Sequence, residues 1–138
     1  MRKLFLDTNI VLDLLAKRHP FYESAAILFS MADKNKVNLF VSSLTFANTN
    51  YVLSKFKSPQ KAREILKLFK LLVKVQPIDD KIIELALNDE KFIDFEDGLQ
   101  YYAALKCGAE GLITRDLKGF KRAKIPVMTA ESYLSSIK

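Results

Sequence analysis

Cysteine and histidine are almost absent from this chain: Cys107 and His19 are the only ones among 138 residues. A lone cysteine excludes an internal disulfide and suits a reducing compartment. A His-centred metal site or a Ser/His triad would have to use His19, which precedes Pro20 in a turn between helical stretches and reads as a surface residue. Long apolar runs are lacking too. No stretch reaches transmembrane length. Only Leu4-Phe5-Leu6 stand between the basic Arg2-Lys3 and Asp7, too few for the apolar centre of a secretion leader. Low-complexity tracts, internal repeats and linkers are also missing. The expectation is one soluble, cytoplasmic domain spanning 1–138, with no membrane partner.

What is present is a half-hydrophobic chain, 49% by count, which argues against disorder, with a formal charge of +6. Such an excess points to a polyanionic partner, although a solubilising surface produces the same number. Short apolar runs alternate with amphipathic stretches. Leu4-Phe5-Leu6, Val37 to Val41, Val73 to Gln76, Gly111 to Thr114 and Pro126-Val127-Met128 read as strands. Between them lie helical patterns. One runs from about Ile10 to Lys17, capped by Thr8 or Asn9, and a second from about Phe21 to Lys34. Ser42-Ser43 open a third, which holds Phe46, Val52 and Leu53, and Ser58-Pro59 open a fourth. Asp79 caps a fifth to Asn88, Asp94 opens a sixth that ends at Gly108, and Thr129 caps the last. The alternation predicts an α/β fold: a single-domain, three-layer α/β/α arrangement with a short central parallel sheet.

Right-handed crossovers bring the carboxyl ends of all the strands to one edge, where ligands bind in open α/β sheets. Asp7 ends the first strand; Thr114 and Asp116 end the fourth. The helix that closes at Gly108 feeds the start of the fourth strand, so its beginning, Asp94 to Asp97, returns to the same rim. Asp94 and Asp97, three apart, are expected to share a helix face, with Glu96 pointing elsewhere. Both aspartates also suit a helix N-terminus on structural grounds alone. Two carboxylates about 4 Å apart repel by roughly 4 kcal/mol at an effective dielectric near 20. Either their pKa values rise or a cation sits among them. Oxygen ligands without histidine or cysteine favour Mg²⁺ or Mn²⁺ over zinc. With a basic surface around it, that is a nuclease site.

Asp7-Thr8-Asn9 after an apolar strand, an acid opening the penultimate long helix, and Thr114-Arg115-Asp116 followed by Phe120 resemble the PIN-domain family, whose bacterial members include the VapC-type toxins of toxin–antitoxin pairs. The resemblance covers essentially the whole chain. It implies a Mg²⁺- or Mn²⁺-dependent ribonuclease that leaves a 3′-hydroxyl and a 5′-phosphate, with Asp7, Asp97 and Asp116 as metal-binding acids and Thr114 as a supporting hydroxyl. Asn9 and Asp94 stand as further supporting groups. Arg115, Lys118, Lys121 and Arg122 are candidates for nucleic-acid contacts. The implied partners are RNA, a cognate antitoxin and a second copy in a homodimer, with Phe21, Tyr22, Phe46 and Tyr51 as aromatic candidates for those surfaces.

One position departs from the pattern. Where the family usually carries a glutamate, the run Ser43-Leu-Thr-Phe-Ala-Asn48 ends in an amide. Asn48 can ligate through its carbonyl but brings no charge; Asp94 is a possible compensation. The run Asn48-Thr49-Asn50 is also unusual inside a helix and needs a reason. The alternative reading is a catalytically weakened module that binds RNA or a protein. A haloacid-dehalogenase-like phosphatase using Asp7 would carry a second aspartate at the place of Asn9.

Overall fold

Strand β1 (Arg2–Leu6) occupies the middle of the molecule, and its burial dictates the layers. Leu4, Phe5 and Leu6 are completely inaccessible, as a parallel strand covered on both faces requires. Side chains alternate across a strand, and two cores follow from that. Leu4 and Leu6 pack with Ile10, Val11, Leu28 and Tyr133, whereas Phe5 faces Ile82, Phe92, Tyr101 and Phe120. The computed structural model describes residues 1–137.

The first core is covered by α1 (Thr8–Leu15), α2 (Tyr22–Asp33), Phe69 of α4 (Pro59–Lys70) and α7 (Ala130–Ser136). The second is covered by α5 (Asp80–Asn88) and α6 (Phe95–Lys106). Helix α3 (Ser43–Phe56) follows β2 (Val37–Ser42) and contributes Phe46 to the first core and Leu44 to the second. With β3 (Lys74–Gln76), β4 (Gly111–Ile113) and β5 (Val127–Met128), the sheet has the order β3-β2-β1-β4-β5, and every pairing is parallel. The expected α/β/α arrangement is the one observed. Among the described residues, no helix is long and apolar enough to cross a membrane.

The strand order also locates the crevice. From β1 the chain moves outward on one side through β2 and β3, then crosses to lay β4 and β5 on the other. The direction reverses between β1 and β4, and a ligand crevice forms at the carboxyl ends of strands at such a point. Asp7 and Thr114 sit there side by side: the Asp7 N–H donates to the Ile113 carbonyl at 3.0 Å, and Thr114 N–H to Met128 at 3.0 Å.

The helix starts that differ from expectation do so for local reasons. Helix α1 begins at Thr8 rather than Ile10 because Asp7 itself is the cap: its carboxylate accepts from Thr8 N–H at 2.8 Å and its carbonyl from Ile10 N–H at 3.0 Å. It ends at Leu15, before Lys17, which turns to positive φ. Ser42 is the first residue before α3, yet its hydroxyl caps nothing; Ser43 Oγ instead accepts from Ile78 N–H and ties α3 to the segment after β3. Ser58, Asp79, Asp94 and Thr129 cap their helices as expected, and Gly108 takes φ +73° just past α6.

Candidate active site

Asp7 is the best-fixed carboxylate at the crevice, only 7% exposed. Both of its oxygens are engaged, one by Thr8 N–H and the other by the Thr114 hydroxyl, which donates at 2.9 Å. Thr114 is itself fully buried and accepts from Asp116 N–H at 3.0 Å. Asp116 in turn accepts from Gly119 N–H at 3.0 Å through Oδ1. One hydroxyl therefore couples the carboxyl end of β1 to the turn after β4. Thr114, the hydroxyl expected beside the acids, stands between Asp7 and the Asp116 backbone.

Asp97 comes from the first turn of α6 and lines the same open pocket as Asp7, Asp116, Asp94, Asn48 and Glu96. Asp97 Oδ2 and Asp116 Oδ2 flank one small space: a Cβ on residue 119 would lie 2.6 Å from the first and 2.5 Å from the second. Only glycine leaves that space open. Among the described residues, no ion pair reaches any of these carboxylates.

The electrostatic consequence falls on the two most buried acids. Burial raises the Asp7 pKa above its ordinary value; the hydrogen bonds from Thr114 and Thr8 oppose the rise, and the charges of Glu96 and Asp116 add to it. Asp97 is pushed up to about 7, by burial first and then by repulsion from Asp94, Asp7, Asp116 and Glu96. A cluster of this kind favours a proton or a cation.

Carboxylate oxygens with no nearby thiol or imidazole are the donor set of a hard divalent ion, and the space above Gly119 is bounded by two such oxygens. In that sense the residues fit Mg²⁺ or Mn²⁺. As they stand, however, no three acids among the described residues form a ready-made cage. Asp7 is pinned by its two hydrogen bonds, whereas Asp97 is half-buried and Asp116 exposed.

Two features were not foreseen. Glu96, expected to point away, turns into the pocket, where its carboxylate accepts from Asn48 Nδ2 at 2.7 Å. Asp94, the cap with extended dihedrals (φ −92°, ψ 116°), and Asp97 do line the pocket together, and Glu96 between them joins it. The bond also supplies a reason for Asn48 within the polar run of α3; its neighbour Thr49 is fully buried. Beneath the acids, Gln100 Nε2 donates to Thr8 Oγ1 at 3.0 Å, and Thr8 and Thr45 hydroxyls meet at 2.9 Å. These contacts fasten α6 to the starts of α1 and α3. Neither was signalled by sequence, beyond the oddity of buried polar residues in helices.

The remaining candidates divide. Lys118, Lys121 and Arg122 are exposed and line a groove with Asp97 and Asp116. Arg115 does not join them: its guanidinium makes two bonds to Asp13, at 2.9 and 3.1 Å, and lies 3.9 Å from the Phe21 ring. Asn9 lines the acidic pocket and accepts from Arg18 at 3.3 Å. Of the aromatic candidates, Phe46 packs on Phe69 in the core, Tyr22 on His19, and Tyr51 is exposed with Lys55 Nζ 4.2 Å from its ring.

Comparison with known proteins agrees with this architecture. A family model described as PIN domain matches residues 3–118. Ribonuclease VapC1 from Aquifex aeolicus (strain VF5) is 30% identical over 134 residues, which cover 95% of this chain and 92% of that relative. A toxin–antitoxin complex from Klebsiella pneumoniae contains a chain of the same fold, with a TM-score of 0.67 at 24% identity over 92% of this chain and 97% of that one. VapBC-1 from nontypeable Haemophilus influenzae gives 0.70 at 18% identity over 94% and 98%.

Proposed function

This chain belongs to the PIN domain family, and from that premise we propose that it is a Mg²⁺- or Mn²⁺-dependent endoribonuclease, the toxin of a toxin–antitoxin pair. The observation that carries the reading is the meeting of Asp7, Asp97 and Asp116 in one pocket at the β1/β4 crevice, with no ion pair to any of them among the described residues. Its likeness to Ribonuclease VapC1 supports the choice of RNA. The whole 1–138 chain would act as a single catalytic domain in the cytoplasm.

Asp7, Asp97 and Asp116 would hold the cation. When bound, it supplies positive charge and Lewis acidity for attack of water on a phosphodiester. The rest falls to the chain. Thr114 Oγ1 keeps Asp7 oriented, and Gly119 N–H keeps Asp116 over the crevice. Burial and the neighbouring carboxylates push the Asp97 pKa up to about 7 in the metal-free protein, so a bound cation would favour its ionised form. Lys118, Lys121 and Arg122 contact phosphates on either side of the scissile bond, which gives affinity without sequence choice. The antitoxin and a second copy of the chain are the protein partners of this reading; likeness to chains of toxin–antitoxin complexes supports the first. The exposed Tyr51, Phe56, Leu68 and Leu71 on and just after α3 and α4 are the apolar surface available to them.

Incubating single-stranded RNA with the protein in Mn²⁺, in EDTA, and with Asp7→Asn tests the reading. Cleavage should require both the ion and Asp7. A second reading, a module that binds RNA or protein without cutting, is favoured by Asn48 and by the absence of a ready-made cage among the described residues. Binding of RNA without cleavage under all three conditions would select it.

A further inference from the structure

Asn48 and Glu96 belong to different layers of the fold, yet their side chains meet at 2.7 Å over the same pocket as Asp7, Asp97 and Asp116. An exposed glutamate in the first turn of a helix has no need of a partner, since water and the helix dipole serve it. Fixing it takes rotamer freedom from two side chains. The choice of partner is informative. A lysine or arginine at position 48 would hold Glu96 and cancel its charge, whereas an amide N–H holds it and leaves the charge intact. Only Oε1 accepts this bond; Oε2 has no hydrogen-bond partner among the described residues.

We propose that Glu96 is a further metal-binding carboxylate of this site and that Asn48 is its positioning residue, so that the amide on α3 and the acid on α6 together do the work of one fixed acid. The inference rests on the ribonuclease reading above. It assigns Glu96 the place that sequence spacing denied it, and it gives Asn48 a role that needs no charge. The fit is to a hard divalent cation, for which each added carboxylate oxygen raises affinity.

Mn²⁺ affinity by calorimetry and RNA cleavage in Mn²⁺ should be measured together for wild type, Glu96→Gln, Asn48→Leu, the swap Asn48→Glu/Glu96→Gln, and Asp7→Asn. Glu96 is exposed, so its isosteric amide leaves the fold intact. Glu96→Gln should weaken Mn²⁺ binding by tenfold or more, and Asn48→Leu by about tenfold, the ordinary effect of losing a ligand's supporting hydrogen bond. The swap restores one acid and one amide across the same contact, and should recover binding to within about threefold of wild type, well inside the loss expected of either single change. Glu96→Gln binding Mn²⁺ as wild type does, while Asp7→Asn loses it, would overturn this inference and leave the ribonuclease reading standing. A swap no better than Glu96→Gln would overturn the role of Asn48. Wild type that neither binds Mn²⁺ nor cleaves would remove both readings together.

Discussion

Asp7 and Asp13 stand at opposite ends of α1, both buried, and the fold treats their charges in opposite ways. Asp13 is 1% exposed and receives two hydrogen bonds from Arg115, whose other face is covered by Phe21. Among the described residues, Asp7 receives only neutral donors, Thr8 N–H and the Thr114 hydroxyl, and it looks out on further acids. The first end is compensated within the protein. The second is not. Arg115 and Asp116 are neighbours in the chain, so one turn after β4 serves both ends: it locks onto α1 through Arg115 and presents an acid through Asp116.

Removing each acid separates the two roles. Asp13→Ala strands a half-buried guanidinium and should destabilise the protein by about 3 kcal/mol, read as a lowered urea midpoint. Asp7→Asn in EDTA should leave stability unchanged or raise it, because it removes a raised-pKa group from a repulsive cluster. Equal losses in the two variants would erase the contrast.

Gly119→Ala sharpens the same point from the backbone side. The atoms its methyl would meet are the mobile ends of Asp97 and Asp116 rather than main chain, so those carboxylates must swing away. Mn²⁺ affinity and cleavage should fall tenfold or more, on the scale of a lost supporting contact, while the melting temperature hardly moves. A variant that binds metal normally would show that the space above Gly119 is not used.

The pH dependence of stability should come from the uncompensated end. The folded-state pKa of Asp97 is about 7 against an ordinary 3.8, so the folded protein holds this proton more tightly than the unfolded chain. Its contribution to stability is full below 3.8 and is lost as pH rises through 7. Urea midpoints in EDTA should therefore carry a contribution that declines between about pH 4 and 7, and Asp97→Asn should remove it. A flat wild-type profile would contradict the assignment. The smallest effect is expected on the basic groove: Lys118→Ala should reduce the slope of log affinity against log salt for single-stranded RNA by about 0.7, with stability unchanged.

Much of this was legible because it is local. Leu4-Phe5-Leu6 before Asp7 announced a buried strand with an acid at its carboxyl end, and Ser58, Asp79, Asp94 and Thr129 announced helix starts because capping depends on a few adjacent residues. The meeting of Asp7, Asp97 and Asp116 followed from crossover handedness, which needs only the order of elements. What sequence spacing did not reveal was the choice of side-chain partners across layers. Asn48 with Glu96, Asp13 with Arg115, and Thr8 with Thr45 and Gln100 each join elements far apart in the chain. Arg115 illustrates the difficulty: an arginine beside a basic loop looks like a phosphate contact until a buried carboxylate is found within reach.

On the proposed reading the acids at the crevice are uncompensated because they await a divalent cation. This is tested most directly by following the melting temperature during Mn²⁺ titration of wild type and Asp7→Asn at neutral pH. Wild type should be stabilised by about 2.7 kcal/mol once Mn²⁺ reaches a hundred times its dissociation constant, with no such rise in Asp7→Asn. Wild type that does not shift up to millimolar Mn²⁺, or an equal shift in both proteins, would contradict the account.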